Sequence, residues 1–148
     1  MSHRRTVRCG VTPCAAYSCS FLGFVITHLF GDFQKGKQMA EYANSMLIKC
    51  DFKRTEPKTL FMIYANLRVW TQSYHQVLPA FLEIYEKGMS VGDCLTALLA
   101  IFYYLELALY AGRDLQEIDK DLVSCTNQTV DYRQETPCHL CRILLQTV

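Results

Sequence analysis

Apolar residues recur at spacings of three and four along most of the chain, which is the period of an α-helix and not of a strand. One stripe of this kind consists of Leu115, Ile118, Leu122, Cys125 and Thr129. Acidic and basic residues occupy the opposite side of the same helix. A second stripe contains small residues that let another helix approach closely: Phe33, Gly36, Ala40, Ala43 and Leu47. No Asn-Gly or Asp-Gly turn separates alternating runs. The sequence therefore predicts an all-α fold.

Start and stop signals divide the chain into about seven helices. Pro57 and Pro137 each stand where a helix can begin, because the backbone N–H groups of a first helical turn have no partner within the helix and proline lacks that N–H. Residues 73–76 and 114–117 have the form of capping boxes. Three glycines supply the positive φ that closes a helix: Gly31, Gly92 and Gly112. The predicted helices are residues 13–30, 32–50, 57–71, 74–89, 93–111, 114–131 and 136–147.

Short connections between these helices make successive helices antiparallel neighbours. Pro79 interrupts the fourth helix, which is either kinked there or begins its regular part at Leu78. The segments 57–71 and 94–111 are apolar nearly all round, so we expect them to be interior helices. The predicted core includes the residues on facing stripes: Leu60, Tyr64, Leu67, Leu98, Phe102, Leu115, Ile118 and Leu122.

Two of the predicted hairpins share a Gly-Asp turn with a small residue five positions after the glycine. The turns are Gly31-Asp32, followed by Gly36, and Gly92-Asp93, followed by Ala97. The tetratricopeptide motif places the same features between its paired helices. We therefore expect residues 12–148 to form antiparallel helical hairpins stacked as a tetratricopeptide-like α-solenoid segment, after a basic flexible tail at residues 1–11.

Composition narrows the class of protein. With 51% hydrophobic residues and a net charge of +1, the chain is neither disordered nor basic enough to track phosphates, so we expect no nucleic-acid partner. Most of its eight cysteines fall in helical patterns, where a free thiol behaves as a small apolar residue. We therefore expect reduced thiols and a cytoplasmic location.

A membrane protein is the alternative to a helical-repeat module. Residues 9–30 contain no Asp, Glu, Lys or Arg, so spans near residues 11–30 and 94–111 have to be weighed. Against them stand His28 at the end of one segment and Glu106 within the other. The basic start, Arg4, Arg5 and Arg8, is either a solubilising tail or a targeting segment.

Chemistry-bearing motifs are scarce. The chain has no P-loop, no G-x-G-x-x-G and no H-E-x-x-H sequence. Cys138 and Cys141 lie on one helical face but supply half of a tetrahedral zinc site, and Cys125 or His75 would have to complete it. We expect two buried thiols there. The sequence thus predicts no enzyme, no cofactor, and no catalytic or metal-binding residue.

Other polar residues are interpreted as structural. Cys9, Cys14 and Cys19 are five residues apart and do not converge on one ion. Glu106 is the only charge between Asp93 and Arg113, so it either reaches an edge of the helix stack, which we favour, or is paired inside. Two acidic pairs at helix-face spacings are interpreted as solvated surface and not as a general acid and base: Glu83 with Glu86, and Glu117 with Asp121.

The order of residues over positions 12–148 resembles a helical-repeat region of large signalling proteins. Those proteins carry an AAA-type or STAND-type ATPase, often with kinase-like, GAF, histidine-kinase or nucleotide-cyclase domains. The resemblance rests on residues 31–36, 58–61, 78–83, 92–93, 112–115 and 134–136, together with Ala40, Ala43, Trp70, Tyr85, Gly88 and Tyr103. It implies a non-catalytic connector or protein-interaction module in signal transduction. It carries over structural residues: the turns at Gly31, Gly92 and Gly112, the packing at Ala40, Ala43 and Trp70, and the kink at Pro79.

The expected partner is a protein or a second copy of the chain. A solenoid segment buries its apolar faces against neighbouring repeats, and terminal repeats normally have polar outer faces. Here the first helix is uncharged from Val11 to Phe30, and the last ends in the apolar residues 143–145. We therefore expect association through these uncapped ends.

Overall fold

The computed structural model describes residues 12, 14–50 and 52–147, and all regular structure in that part of the chain is helical. Seven α-helices follow one another, with a 3₁₀ turn at Arg68–Trp70 after the third. They are α1 (Ala15–Phe30), α2 (Phe33–Lys49), α3 (Glu56–Asn66), α4 (Tyr74–Val91), α5 (Cys94–Tyr110), α6 (Leu115–Asp131) and α7 (Glu135–Leu145). The predicted all-α fold is confirmed. The predicted tail at residues 1–11, with its three arginines and Cys9, lies outside the described residues.

The third predicted helix, residues 57–71, was too long. Helix α3 ends at Asn66, and Leu67 leaves the helical region with φ −122° and ψ −52° before the 3₁₀ turn. Neither glycine nor proline marks this end in the sequence. As a result Trp70 lies in the turn, 63% exposed, and does not take the packing position that the resemblance implied.

Helix α4 runs from Tyr74 through Pro79 to Val91, so the alternative in which its regular part begins at Leu78 is wrong. The start is fixed by the predicted cap, in which the Ser73 backbone N–H donates to Gln76 Oε1 at 3.3 Å. At the start of α6, the Asp114 carboxylate accepts from the backbone N–H groups of Gln116 and Glu117 at 2.9 and 3.2 Å.

The chain divides after Thr71 into two compact units. In the first unit, α1 packs against α2 and both contact α3. In the second, α5 lies against α4, α6 and α7. Within α5 only Leu95 and Tyr110 are exposed, and within α3 only Lys58 is. The expectation of interior helices is confirmed for α3 and α5, but not for the end of the predicted segment 57–71, where Trp70 and Thr71 are exposed.

Each unit contains a hairpin closed by the predicted Gly-Asp turn. Gly31 and Gly92 have φ of +67° and +77°, which a side chain would disfavour. The following aspartates cap the next helix, since Asp32 accepts from Lys35 N–H at 2.9 Å and Asp93 from Thr96 N–H at 3.3 Å. The two turns therefore have the same local construction.

The small residue after each turn allows the two helices of the hairpin to touch. A Cβ placed on Gly36 would collide with the Thr27 side chain. In the second unit a Cβ placed on Gly88 would lie 2.9 Å from Ala97 Cβ and 3.2 Å from its backbone nitrogen. Both contacts join the end of one helix to the start of the next, so the hairpins are antiparallel.

The core agrees with the predicted set except at one position. Six of its members are buried: Leu60, Leu67, Leu98, Phe102, Ile118 and Leu122. Tyr64 is half-buried against the core of the first unit. Leu115 is 51% exposed, so its assignment to the core was wrong. It is the first residue of α6, and side chains tilt toward the N-terminus of their helix, away from the packed part of α6.

Candidate functional site

Helix α1 is built with its large side chains outward. Five apolar residues share one side of the helix and form what we call the outer face: Tyr17, Phe21, Leu22, Val25 and Leu29. Four of them are 36–75% exposed, and Val25 is half-buried. No Asp, Glu, Lys or Arg occurs anywhere in α1. The outer face is therefore an uncharged apolar stripe about four turns long.

The opposite side of α1 explains this arrangement. Its buried residues are small: Ala16, Ser20, Gly23 and Thr27. They lie against α2, where a Cβ on Gly23 would fall 2.9 Å from Met39 Cβ and 3.2 Å from the Gly36 carbonyl oxygen. Because the two helices approach so closely, large side chains have no room between them and must occupy the outer side.

The other predicted uncapped end differs from expectation. Leu144 and Leu145 are half-buried and pack against the core of the second unit, beside Ile118 and Leu122. Ile143 alone of the three is exposed, at 61%. The expectation of an apolar stripe at the end of α7 was wrong, because α7 folds back on α6 and covers these leucines within the chain.

No described helix has both the length and the hydropathy needed to cross a bilayer.

The cysteine pair of α7 is buried, as predicted, and gains a third thiol from α6. Cys138 and Cys141 are 8% and 0% exposed, and Cys125 Sγ lies 3.4 Å from Cys141 Sγ. Of the two ligands considered from other helices, Cys125 is thus brought to the pair, whereas His75 is exposed at the start of α4. Among the described residues, no group of three or more His, Cys, Asp and Glu side chains is arranged to hold a metal ion.

Glu106 takes a half-buried position on α5. Burial raises the pKa of its carboxyl group, and a hydrogen bond with the Tyr110 side chain partly opposes that shift. Glu106 was expected at a solvated edge of the helix stack. It reaches solvent only in part, because burial removes part of the hydration of its carboxylate.

The two acidic pairs behave as surface residues. Glu83 Oε1 binds Lys87 Nζ at 2.7 Å along α4. Glu117 and Asp121 both bind Arg113, at 3.1 and 2.9 Å, and do not form a catalytic pair. Sequence reasoning missed Arg113 as the common partner, although its spacing of four and eight residues from the two carboxylates is a helical signal.

A groove in the second unit brings together side chains from α4, α5 and α6. Its volume is about 330 Å³, and its lining includes Tyr85, Tyr104, Arg113, Gln128 and Cys125. The Tyr85 hydroxyl is 3.0 Å from Gln128 Oε1, to which it donates a hydrogen bond across the groove. Burial and the neighbouring Tyr132 and Cys125 groups raise the pKa of Tyr85, so it stays a neutral donor. This groove was not predicted.

No protein family, no curated protein and no solved structure matches this chain.

Proposed function

We propose that this chain is a non-catalytic protein–protein interaction or connector module that associates through the outer face of α1. The observation that carries the proposal is the inverted burial of α1, with small residues inside and Phe21, Leu22 and Leu29 outside at 47%, 50% and 75% exposure. Contiguous apolar surface of this kind on a folded protein is typical of interaction sites. Isolated exposed apolar residues would carry no such implication.

The occupant of this face in our proposal is a second copy of the chain. An uncharged helix face has no like charges to repel its own copy, and it offers no charge pattern that would select a different partner. The net charge of +1 likewise leaves two copies with little mutual repulsion. Two identical apolar stripes can pair about a twofold axis, each covering the other.

The size of the face sets the expected strength. A stable complex buries about 800 Å² on each partner, and five side chains of one helix provide less than that. We therefore expect a weak dimer that dissociates in the micromolar range.

The repeat-like construction supports the connector part of the proposal. The Gly-Asp turn with its following small residue occurs in both units, and a tetratricopeptide-like α-solenoid scaffold of signalling proteins is built from such recurring hairpins. Cys125, Cys138 and Cys141 are buried as small apolar residues, and such reduced core thiols favour the proposed cytoplasmic location.

Light scattering on a matched pair of variants tests the proposal. Phe21→Lys places a charge at the centre of the outer face, and Ile48→Lys places the same charge on α2 at a residue that is 79% exposed. We expect dimers of wild type and of Ile48→Lys, and monomers of Phe21→Lys with unchanged helicity. Equal masses for the two variants would rule out the outer face as the contact.

A further inference from the structure

The thiols of Cys125 and Cys141 meet across the α6–α7 hairpin. Their sulfur atoms are 3.4 Å apart, and the residues are 2% and 0% exposed. Cys125 belongs to the stripe that packs α6 against α5, and Cys141 lies on the face of α7 that covers it. A disulfide has an S–S distance of about 2.0 Å, so modest side-chain movement brings the two sulfurs to bonding distance.

The contact makes the two thiols unequal. The hydrogen bond from Cys125, with a further one from Thr126, lowers the pKa of Cys141. The same shared hydrogen bond, together with burial, raises the pKa of Cys125. When the pair loses one proton, the two sulfurs share the remaining one across their contact.

The groove of the second unit gives a route to the pair. Cys125 forms part of its lining, next to Tyr85 and Gln128. The volume of about 330 Å³ is many times that of a small oxidant such as hydrogen peroxide. A molecule at this wall meets Cys125, whose sulfur lies 3.4 Å from that of Cys141. This distinguishes the pair from an ordinary buried thiol, which no reagent reaches.

We propose that Cys125 and Cys141 form a reversible disulfide when a hydroperoxide enters the groove. After the pair has released one proton, the Cys125 sulfur at the groove wall attacks one peroxide oxygen while Cys141 holds the other proton, the O–O bond breaks, and a Cys125 sulfenic acid and hydroxide result. The hydroxide takes the Cys141 proton and becomes water. The Cys141 sulfur then displaces hydroxide from Cys125, and that hydroxide takes up the proton that the pair had released. Two thiols thus lose two electrons in all, and one peroxide becomes two waters.

The disulfide would fix α7 covalently to α6. Helix α7 has 11 residues and holds Leu144 and Leu145 against the core, so its attachment governs how firmly the end of the second unit is closed. Cys138 lies one turn before Cys141 on the same helix, and the two thiols do not meet across a hairpin. In a reducing compartment such a bond is transient and reports oxidant. This inference does not depend on the self-association proposed above.

Peptide mapping of the folded chain tests it. The native protein is treated with hydrogen peroxide, its free thiols are blocked in denaturant, and it is digested with trypsin without reduction. Cleavage after Lys120, Arg133 and Arg142 places Cys125 in peptide 121–133 and both cysteines of α7 in peptide 134–142. We expect these two peptides to be joined, with the loss of two hydrogen atoms, and to separate on reduction.

Two variants identify the sulfur involved. Cys138→Ser should retain the joined peptides, and Cys141→Ser should lose them. Oxidation of wild type in denaturant provides the matched control, because the unfolded chain should favour the much shorter Cys138–Cys141 loop. Failure of the native wild type to join the peptides, or a joined product that persists in Cys141→Ser, would overturn the proposal.

Discussion

At the scale of single residues, position on the helix decides burial more than side-chain type does. Ile118 is fully buried, whereas Leu115, three residues earlier on the same helix and equally apolar, is half exposed. The sequence stripe could not separate them, because both fall on the apolar side of α6. The difference arises because Leu115 is the first residue of α6 and its side chain tilts away from the packed part of the helix, which periodicity does not encode.

This pair provides the first prediction. Ile118→Ala should lower the free energy of unfolding by about 2–5 kcal/mol, through lost burial and the cavity that remains. Leu115→Ala is the matched control and should change it by no more than about 0.5 kcal/mol. Denaturant titrations of the three proteins measure both values. A similar loss in both variants would mean that Leu115 is also buried.

Glu106 predicts a pH-dependent stability. The pKa of its carboxyl group is raised in the folded protein, so folding is disfavoured at pH values above that pKa, and this penalty disappears as the pH falls through it and below the unfolded value. Glu106→Gln should therefore be more stable than wild type at pH 7 and no longer so near pH 3.5. Denaturant midpoints at the two pH values measure this, with the exposed Glu86→Gln as control. An equal effect at both pH values would contradict it.

The thiol cluster leads to a prediction about zinc. Cys138 and Cys141 come from one helix, and within the described part of the chain only the Cys125 thiol meets them, in an arrangement that does not suit a metal ion. Purified protein should contain less than stoichiometric zinc, and chelation should leave its helicity unchanged. Metal analysis and circular dichroism are the measurements. One tightly held zinc per chain, lost together with the helices on chelation, would refute this.

At the scale of the elements, most boundaries could be predicted from capping chemistry. Ser73 and Asp114 cap their helices as the predicted capping boxes require, and the aspartates of the two predicted Gly-Asp turns, Asp32 and Asp93, are caps as well. The end of α3 could not be predicted, because the chain changes from α-helix to a 3₁₀ turn without a glycine or proline. The end of α6 has no glycine either. Arg133 takes the left-handed conformation there, with φ +53°. A helix boundary can therefore be predicted from the sequence where a side chain caps the helix, and not where the backbone alone ends it.

Adding one methyl group at Gly88 tests the close contact between Gly88 of α4 and Ala97 of α5. Gly88→Ala should favour the helix by at most about 1 kcal/mol, but its Cβ would meet the Ala97 backbone, and overpacking costs about 1–3 kcal/mol. We expect net destabilisation. Ser90→Ala, at an exposed position of the same helix, should stay within about 0.5 kcal/mol of wild type. Denaturant midpoints decide, and a stabilised Gly88→Ala would mean that α4 and α5 lie farther apart.

The candidate sites were predictable to different degrees. The uncharged length of α1 is visible in the sequence, and so is the expectation that it exposes apolar residues. The meeting of Cys125 with Cys141 is not, because it depends on the register between α6 and α7 that the turn at Arg133 sets. The groove likewise combines residues far apart in sequence, such as Tyr85 and Gln128, which come together only when α4, α5 and α6 have packed.

At the scale of the whole molecule, self-association depends on what covers the outer face of α1. Leu144 and Leu145 at the end of α7 are covered within the chain by its own core, whereas α1, among the described helices, carries a long uncharged exposed stripe. The resemblance to connector regions of signalling ATPases stays a proposal, and self-association is the part of it that purified protein can test.

Sedimentation equilibrium of the unmodified chain tests this claim most directly. The measurement is made across micromolar concentrations and repeated at high salt. We expect the average mass to rise from 17.0 kDa toward twice that value with concentration, and to do so equally at high salt, because the contact is apolar and not ionic. A mass of 17.0 kDa at every concentration would contradict the proposed function.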